Sequence, residues 1–258
     1  MRMTSSVVPV GSGVYYSGAY WNDLPAVVEH LHTRMSGRPD QTWMHRALAH
    51  NGGRPFATAL SINTGNGWVE RDLVRLGVVE SIHGVEYLDD LVAEARRAAE
   101  AEGLAITYEQ ADTNRAEFAR GPFELVVDHA ALHHVAYVDR VVRGLCERLV
   151  PGGVLVGFDY VGHHRNQYPC EVWEAAHRVN QMLPADLRQD MAYPHLPTML
   201  DQDPTEAVHS ELIESTIRRY FTVEEWVPLG GAVAYLLLTH NARLHARPHA
   251  ETDEWVRM

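Results

Sequence analysis

The period of apolar positions changes along this chain. Leu24, Val27, Val28, Leu31 and Met35 recur at helical spacing. Asn22 or Asp23 is placed to cap that helix, so residues 1–50 read as a helical lead-in. From residue 57 short apolar runs take over: ATALSI, SIHGVEY, AITYEQ, FELVVD and VLVGFDYV. Such runs are those of strands buried in a parallel sheet. Between them lie the helical stretches WVERDLVRLG, Asp89–Glu102 and Tyr137–Leu149, the last stopped by Pro151-Gly152-Gly153. Strand and helix in alternation predict βαβ units and a doubly wound, mostly parallel α/β sheet with helices on both faces. Residues 163–220 break the pattern. They are polar and rich in His and Pro, with helical stretches at Glu171–Leu183 and Glu206–Tyr220, and read as a substrate-binding insertion over the carboxyl edge of the sheet. FTVEEWVPLGGAVAYLLLTHN then reads as two strands joined at Leu229-Gly230-Gly231. The α/β domain thus runs from 51 to 241, and 242–258 is expected to be a loosely ordered tail.

Composition narrows the classes of function. The chain has 258 residues, 46% of them apolar, enough for one large core. No apolar run reaches the ~18 residues of a membrane span, and the first residues are too weakly apolar for a secretory signal, so a cytoplasmic protein without membrane attachment is expected. The formal charge of −12 argues against nucleic acid as a partner. Every basic residue is arginine, which excludes Schiff-base chemistry and the phosphate-loop lysine. The two cysteines, Cys146 and Cys170, form no CxxC pair, so neither a zinc knuckle nor a redox couple is supported.

Ligands of doubly wound sheets bind outside the carboxyl ends of the strands. There the first strand is followed by Asn63-Thr64-Gly65-Asn66-Gly67 and a helix. Glycines in such a turn supply positive φ and let a ligand approach the backbone. Glu86, 19 residues past Gly67, ends the second strand, where an acid accepts from a ribose diol. Asp112 follows the third strand. Singly, these are a tight turn, a solvated acid and a helix cap; in order on consecutive strand ends they point to a nucleoside-bearing cofactor. The turn carries Glu70 where the dinucleotide fingerprint has its last glycine.

The segments SINTGNGWVERDL, GVEYLDDLVAEAR, YEQADTN, FELVVDHAALHHV and LVPGGVLVGFDYVG resemble the successive motifs of class I S-adenosylmethionine-dependent methyltransferases over about residues 57–160. PTEAVHSELI and the GG hairpin resemble a subfamily with a helical insertion before the last two strands. The resemblance implies a Rossmann-like seven-stranded sheet with an antiparallel last strand. It also implies S-adenosylmethionine as cofactor, with Gly65 to Gly67 by its methionine part, Glu86 on the ribose and Asp112 by the adenine. Asn63, Asn66, Tyr87, Thr113 and Asp128 complete the expected cofactor set. The chain departs from the family at Asn63, usually glycine, and at Thr64, usually small or cysteine.

The expected reaction is methyl transfer to a small-molecule acceptor, at oxygen or nitrogen before carbon. Two other readings stay open: another reaction in the same cavity, or a non-catalytic partner subunit. A homodimer is the base-rate expectation. An acceptor hydroxyl or protonated amine needs a base. His133 or His129 is the candidate, assisted by Asp159 or His163; a structural role for the LHH segment is the plainer alternative. His129 and His133 are four apart, but a turn separates them and HExxH is absent, so no metal is expected. Arg165, Gln167 and Tyr168 are candidate substrate contacts, as are Glu206 and His209, with Ser210, on one helical face. Tyr15, Tyr16, Tyr20 and Trp21 form an aromatic cluster that would act as a lid or pack the lead-in onto the core.

Overall fold

The apolar runs become strands because each is long enough to cross one layer and is covered on both faces. The computed structural model describes residues 19–118 and 120–257. In chain order it contains α1 (Pro25–Ser36), α2 (Trp43–His50), β1 (Phe56–Ile62), α3 (Trp68–Arg75), β2 (Val79–Glu86), α4 (Asp89–Ala101), β3 (Ile106–Gln110), β4 (Phe123–His129), α5 (Val138–Arg148), β5 (Leu149–Phe158), α6 (Cys170–Met182), α7 (Leu196–Gln202), α8 (Ser210–Tyr220), α9 (Ala234–Leu238), α10 (Ala242–His245) and α11 (His249–Arg257). Tyr15 and Tyr16 of the aromatic cluster lie outside the described residues.

The chain divides into two compact units. The first holds Met44–Arg165 and Pro197–Glu224, and within it the sheet runs β3-β2-β1-β4-β5 with every neighbour parallel. Strand order reverses between β1 and β4, which makes the carboxyl ends of those two strands the crevice of this fold. Leu60, Ile62, Val126, Val141, Val142 and Leu145 are fully buried in one core with Ile213 of α8. Leucine and valine buried to that extent contribute roughly 1.5–3 kcal/mol each. Tyr108, Val92 and Ala95 make a smaller cluster on α4. Tyr108 is why Gly67 must be glycine: a Cβ there would fall 2.3 Å from its hydroxyl oxygen, and φ is +75°.

The sheet has five strands, not seven. The expected closing hairpin is absent, and among the described residues no sixth strand pairs with β5. Val233 to Leu238 instead enter α9, with Leu237 and Leu238 buried. A short Ala/Leu run has no period that separates buried strand from buried helix, and its residues favour helix. Pro151-Gly152-Gly153 does not stand after the helix as a stop. It lies inside β5, where the pairing with β4 shifts register.

The second unit holds the described residues up to Trp43, then Asn166–Leu196 and Glu225 onward. Its core joins Leu24, Val27 and Leu31 of the lead-in to Leu237, Leu238 and Leu244. Leu24, not Asn22 or Asp23, precedes α1, with Pro25 in its first turn; Asp23 accepts from the Tyr20 N–H instead. The stretch expected to be a loose tail carries α10 and α11. Asn241 caps α10 and donates to the carbonyls of Leu187 and Leu237. No helix among the described residues is long and apolar enough to cross a membrane.

Candidate active site

The turn after β1 takes the left-handed region at alternate residues, Asn63 (φ 48°), Gly65 (φ 57°) and Gly67 (φ 75°). Asparagine is the side-chain-bearing residue that tolerates this best, so the backbone shape survives the loss of glycine. The Asn63 side chain is put to use: Nδ2 donates to the Ala131 carbonyl at 3.0 Å and Oδ1 accepts from the Thr113 hydroxyl at 2.7 Å. One residue thus ties the tip of β1 to the segments after β3 and β4. Asn63→Gly should keep the turn but lose both bonds, costing about 1–2 kcal/mol. Thermal unfolding checks this; an unchanged midpoint would mean water replaces the tie without loss.

Glu86 ends β2 and is 6% exposed. Its Oε2 accepts from Gly65 N–H at 2.8 Å, and its Oε1 from Tyr87 and Leu88 N–H at 2.8 and 3.0 Å. Burial pushes its carboxyl up, against the pull of these three donors. Glu86 therefore builds the turn besides any ligand it meets. Asp112 accepts from Asn114 N–H at 3.0 Å and caps a short 3₁₀ turn, Thr113–Arg115. A cavity of about 480 Å³ opens here, with Tyr87, Leu88, Gln110, Asp112 and Arg115 among its walls. Tyr87 and Asp112 thus face one cavity, whereas Glu86 is not among its lining residues and spends its carboxylate on the backbone N–H groups of Gly65, Tyr87 and Leu88. An exposed aromatic ring and an acid in one wall suit a nucleoside. Asn66 sits at the head of α3, its side chain accepting from Trp68 N–H at 3.3 Å. A second cavity of about 440 Å³, by Arg54, Phe56 and Glu124, holds none of the expected site residues.

At the tip of β4 the structure gathers acids and imidazoles. His133 Nδ1 lies 2.5 Å from Asp159 Oδ1, and Asp159 also accepts from the N–H groups of Ala131, His133 and Tyr160. Burial works against charge on His133. The Asp159 charge and bond, helped by Glu206 and Asp128, outweigh it and raise the ring to about 9. Asp159 is buried too, yet the His133 charge and bond hold it below the ordinary carboxylate range. Asp128, buried and beside Asp159, is pushed up. His129 and His134 are each pushed down to about 4 by burial, with the neighbouring His133 charge adding to it. His129 stacks on Phe158 at 5.1 Å and meets Trp68 edge-on at 5.2 Å. So His133 and Asp159 come together as expected, while His129 turns to aromatic company. His163 is exposed on the loop after β5, where its carbonyl accepts from the Tyr160 hydroxyl at 3.4 Å.

The substrate candidates scatter. Glu206 and His209 do not share a helical face: they lie in the loop before α8, which starts at Ser210. Pro204 and left-handed Ala207 (φ 49°) keep that loop out of the helix. Arg165 is tied to backbone carbonyls of the same loop. Its guanidinium donates to the carbonyls of Pro204 and Glu206, and its N–H to that of Ala207 at 2.7 Å. Tyr20, Gln167 and Tyr168 belong to the second unit. There the Tyr20 ring lies 5.3 Å from His240, Gln167 donates to the Pro194 carbonyl, and buried Tyr168 accepts at its carbonyl from Tyr193.

Sequence reasoning missed two residues of this neighbourhood. His134 places its ring 4.1 Å from that of His133; nothing in LHH shows which neighbour shares its space. Glu70 is 1% exposed, with Ser61 donating to its Oε1 at 2.6 Å. Its place beside Val69 and three residues before Leu73, both buried in α3, was a signal in the helical period.

Residues 60–157 match the family described as a methyltransferase domain. A ubiquinone biosynthesis O-methyltransferase of Nitrosococcus oceani is 34% identical over 95 residues, covering 36% of this chain and 39% of that one. A demethylmenaquinone methyltransferase of Thermus thermophilus is 27% identical over 130 residues, 50% of this chain and 59% of that one. A Pyrococcus horikoshii crystal structure shares 15% identity over 70% of this chain and 80% of that one, with a TM-score of 0.49. The chain spans about two fifths to three fifths of the curated relatives it matches. Over residues 60–157 the chain is thus similar to methyltransferase domains of the kind that take S-adenosylmethionine as cofactor.

Proposed function

We propose that this chain transfers a methyl group from S-adenosylmethionine to an oxygen or nitrogen of a small-molecule acceptor. One observation carries the reading. The Asn63–Gly67 turn, the cavity by Tyr87 and Asp112, and His133 all fall within the matched region, with Asp159 two residues past its end, and they occupy one edge of one sheet. The names of the relatives concern ubiquinone and demethylmenaquinone, which supports a small-molecule acceptor. The −12 charge supports it from the other side, by disfavouring nucleic acid.

S-adenosylmethionine, when bound, supplies a methyl group already activated on a sulfonium. What is left to the chain is to hold and orient. Asp112 and Tyr87 would take the adenosine side, with Glu86 keeping Gly65 and Tyr87 in register behind them. In-line displacement gains up to ~7–11 kcal/mol from placement alone. His133, fixed through Nδ1 by Asp159, presents Nε2 as the atom at which an acceptor proton is held.

Two measurements test the reading. Calorimetry with S-adenosylhomocysteine should show 1:1 binding, weakened at least tenfold in Asp112→Ala. Incubation with S-adenosylmethionine and a panel of phenols, carboxylic acids and amines should yield S-adenosylhomocysteine. Failure to bind either form of the cofactor would end the proposal.

The Asn63 bridge favours a second reading, in which the cofactor is bound but its methyl is not transferred, because a tied side chain stands where the family has glycine. Cofactor binding without product across the panel, together with product formation by Asn63→Gly, would decide for it.

A further inference from the structure

His133, His134 and Glu206 bring two imidazoles and a carboxylate together. His133 Nε2 lies 3.7 Å from Glu206 Oε2, and His134 Nε2 lies 3.9 Å from the same oxygen. Each of the three residues offers a ligand atom within 4.8 Å of those of the other two. These separations are too long for hydrogen bonds. They are close to the ~3.4 Å that separates ligand atoms held about 2.1 Å from a tetrahedral ion.

The far sides of both rings decide what the near sides can be. His133 Nδ1 faces the Asp159 carboxylate at 2.5 Å, so Nδ1 is the protonated nitrogen. His134 Nδ1 lies 2.9 Å from Thr205 Oγ1, and the Thr205 hydroxyl gives its own proton to Asp203 Oδ1 at 2.6 Å. Thr205 must therefore accept from His134, and Nδ1 carries the proton there as well. Both imidazoles are oriented by an outer partner with Nε2 turned inward, the arrangement that metal-binding histidines use to fix ring and tautomer. The third ligand is fixed as carefully. Its loop is fastened by Arg165 N–H to Ala207 O at 2.7 Å and by Val208 N–H to His133 O at 3.1 Å.

We propose that His133, His134 and Glu206 form a binding site for one divalent transition cation of the zinc class. Two imidazoles and a carboxylate suit zinc, cobalt or iron better than magnesium or calcium, which prefer all-oxygen shells. Three protein ligands leave at least one position for water or an acceptor oxygen, as in catalytic sites and unlike structural ones. The proposal concerns cation uptake and stands whether or not methyl transfer does; an ion on His133 Nε2 would take the place of the acceptor proton at that nitrogen.

The test uses the full chain, free of any affinity tag, stripped with chelator and titrated with Co²⁺ and Zn²⁺. One equivalent of Co²⁺ should bind with micromolar affinity or better and give visible absorption of a tetrahedral or five-coordinate ion; one equivalent of Zn²⁺ should abolish that absorption. His134→Ala and Glu206→Ala should each remove the signal while the metal-free far-ultraviolet spectrum stays that of the parent. Asp159→Asn, which alters only the outer partner, should weaken binding 10–100-fold. A second group, His164, His209 and Glu211, also lies within ligand distance, so His209→Ala is the control and should bind as the parent does. The proposal is overturned if the folded parent binds no stoichiometric Co²⁺. It is also overturned if His209→Ala loses the ion while His134→Ala keeps it.

Discussion

Glu86→Ala should lower unfolding stability by about 3–4 kcal/mol, a large share of what holds a domain of this size together. The Glu86 carboxylate accepts from the N–H groups of Gly65, Tyr87 and Leu88. Each charge-assisted bond of this kind is worth roughly 1.5–3 kcal/mol. The total stays below their sum because burial raises the Glu86 carboxyl and makes its charge costly. Removing the side chain strands donors in a site 6% exposed, where water has little access. The turn that begins at Asn63 and the start of α4 would loosen together. Urea unfolding of the variant beside the parent measures the effect. A loss below ~1 kcal/mol would show that the carboxylate does not hold the turn together.

Glu70→Gln is expected to change how stability depends on pH. Glu70 is pushed up from 4.5 to about 7, first by burial; Ser61 opposes this, and Oε2 has no hydrogen-bond partner. The folded state then binds this proton more tightly than the unfolded chain does. Folding is therefore favoured by low pH. The cost grows as pH rises from about 4.5 and is complete above about 7. A shift of that size corresponds to about 3 kcal/mol. Glutamine has no charge to bury, and its Oε1 still accepts from Ser61. Between pH 5 and pH 8 the parent should lose about 2.5 kcal/mol more than the variant. Denaturation midpoints for both proteins at unit steps of pH test it; parallel curves would refute the assignment.

The sheet was legible in the sequence because parallel strands are buried on both faces. Each of the five announces itself as an apolar run between amphipathic helices. The positions of Glu86 and Asp112 followed from strand ends alone. Asp112 turned out to be both cavity wall and cap, two roles that one short acid can fill at once. The closing hairpin was misread because AVAYLLL is too short and too uniformly apolar to show a period. The histidines posed a different problem. The sequence offered His133 or His129 as the base without deciding between them. Glu206, which meets His133, is 73 residues further on, in a loop whose course depends on Pro204, Ala207 and Arg165. Contacts made by such long loop closures leave no periodic trace. Asn63 is the intermediate case: its left-handed backbone was foreseeable from residue type, its two side-chain bonds were not.

The α/β unit is closed by a helix that the chain supplies late. Ile213 and Ile217 of α8 complete the core over α5, and Asp139 at the head of α5 meets Arg219 and the Tyr220 hydroxyl. Anyone trimming this protein to its matched region for expression would cut that helix away and bare the valines of α5 to solvent. A workable minimal version must carry 197–224 along with 44–165. Because those stretches are discontinuous in sequence, a simple truncation cannot supply both.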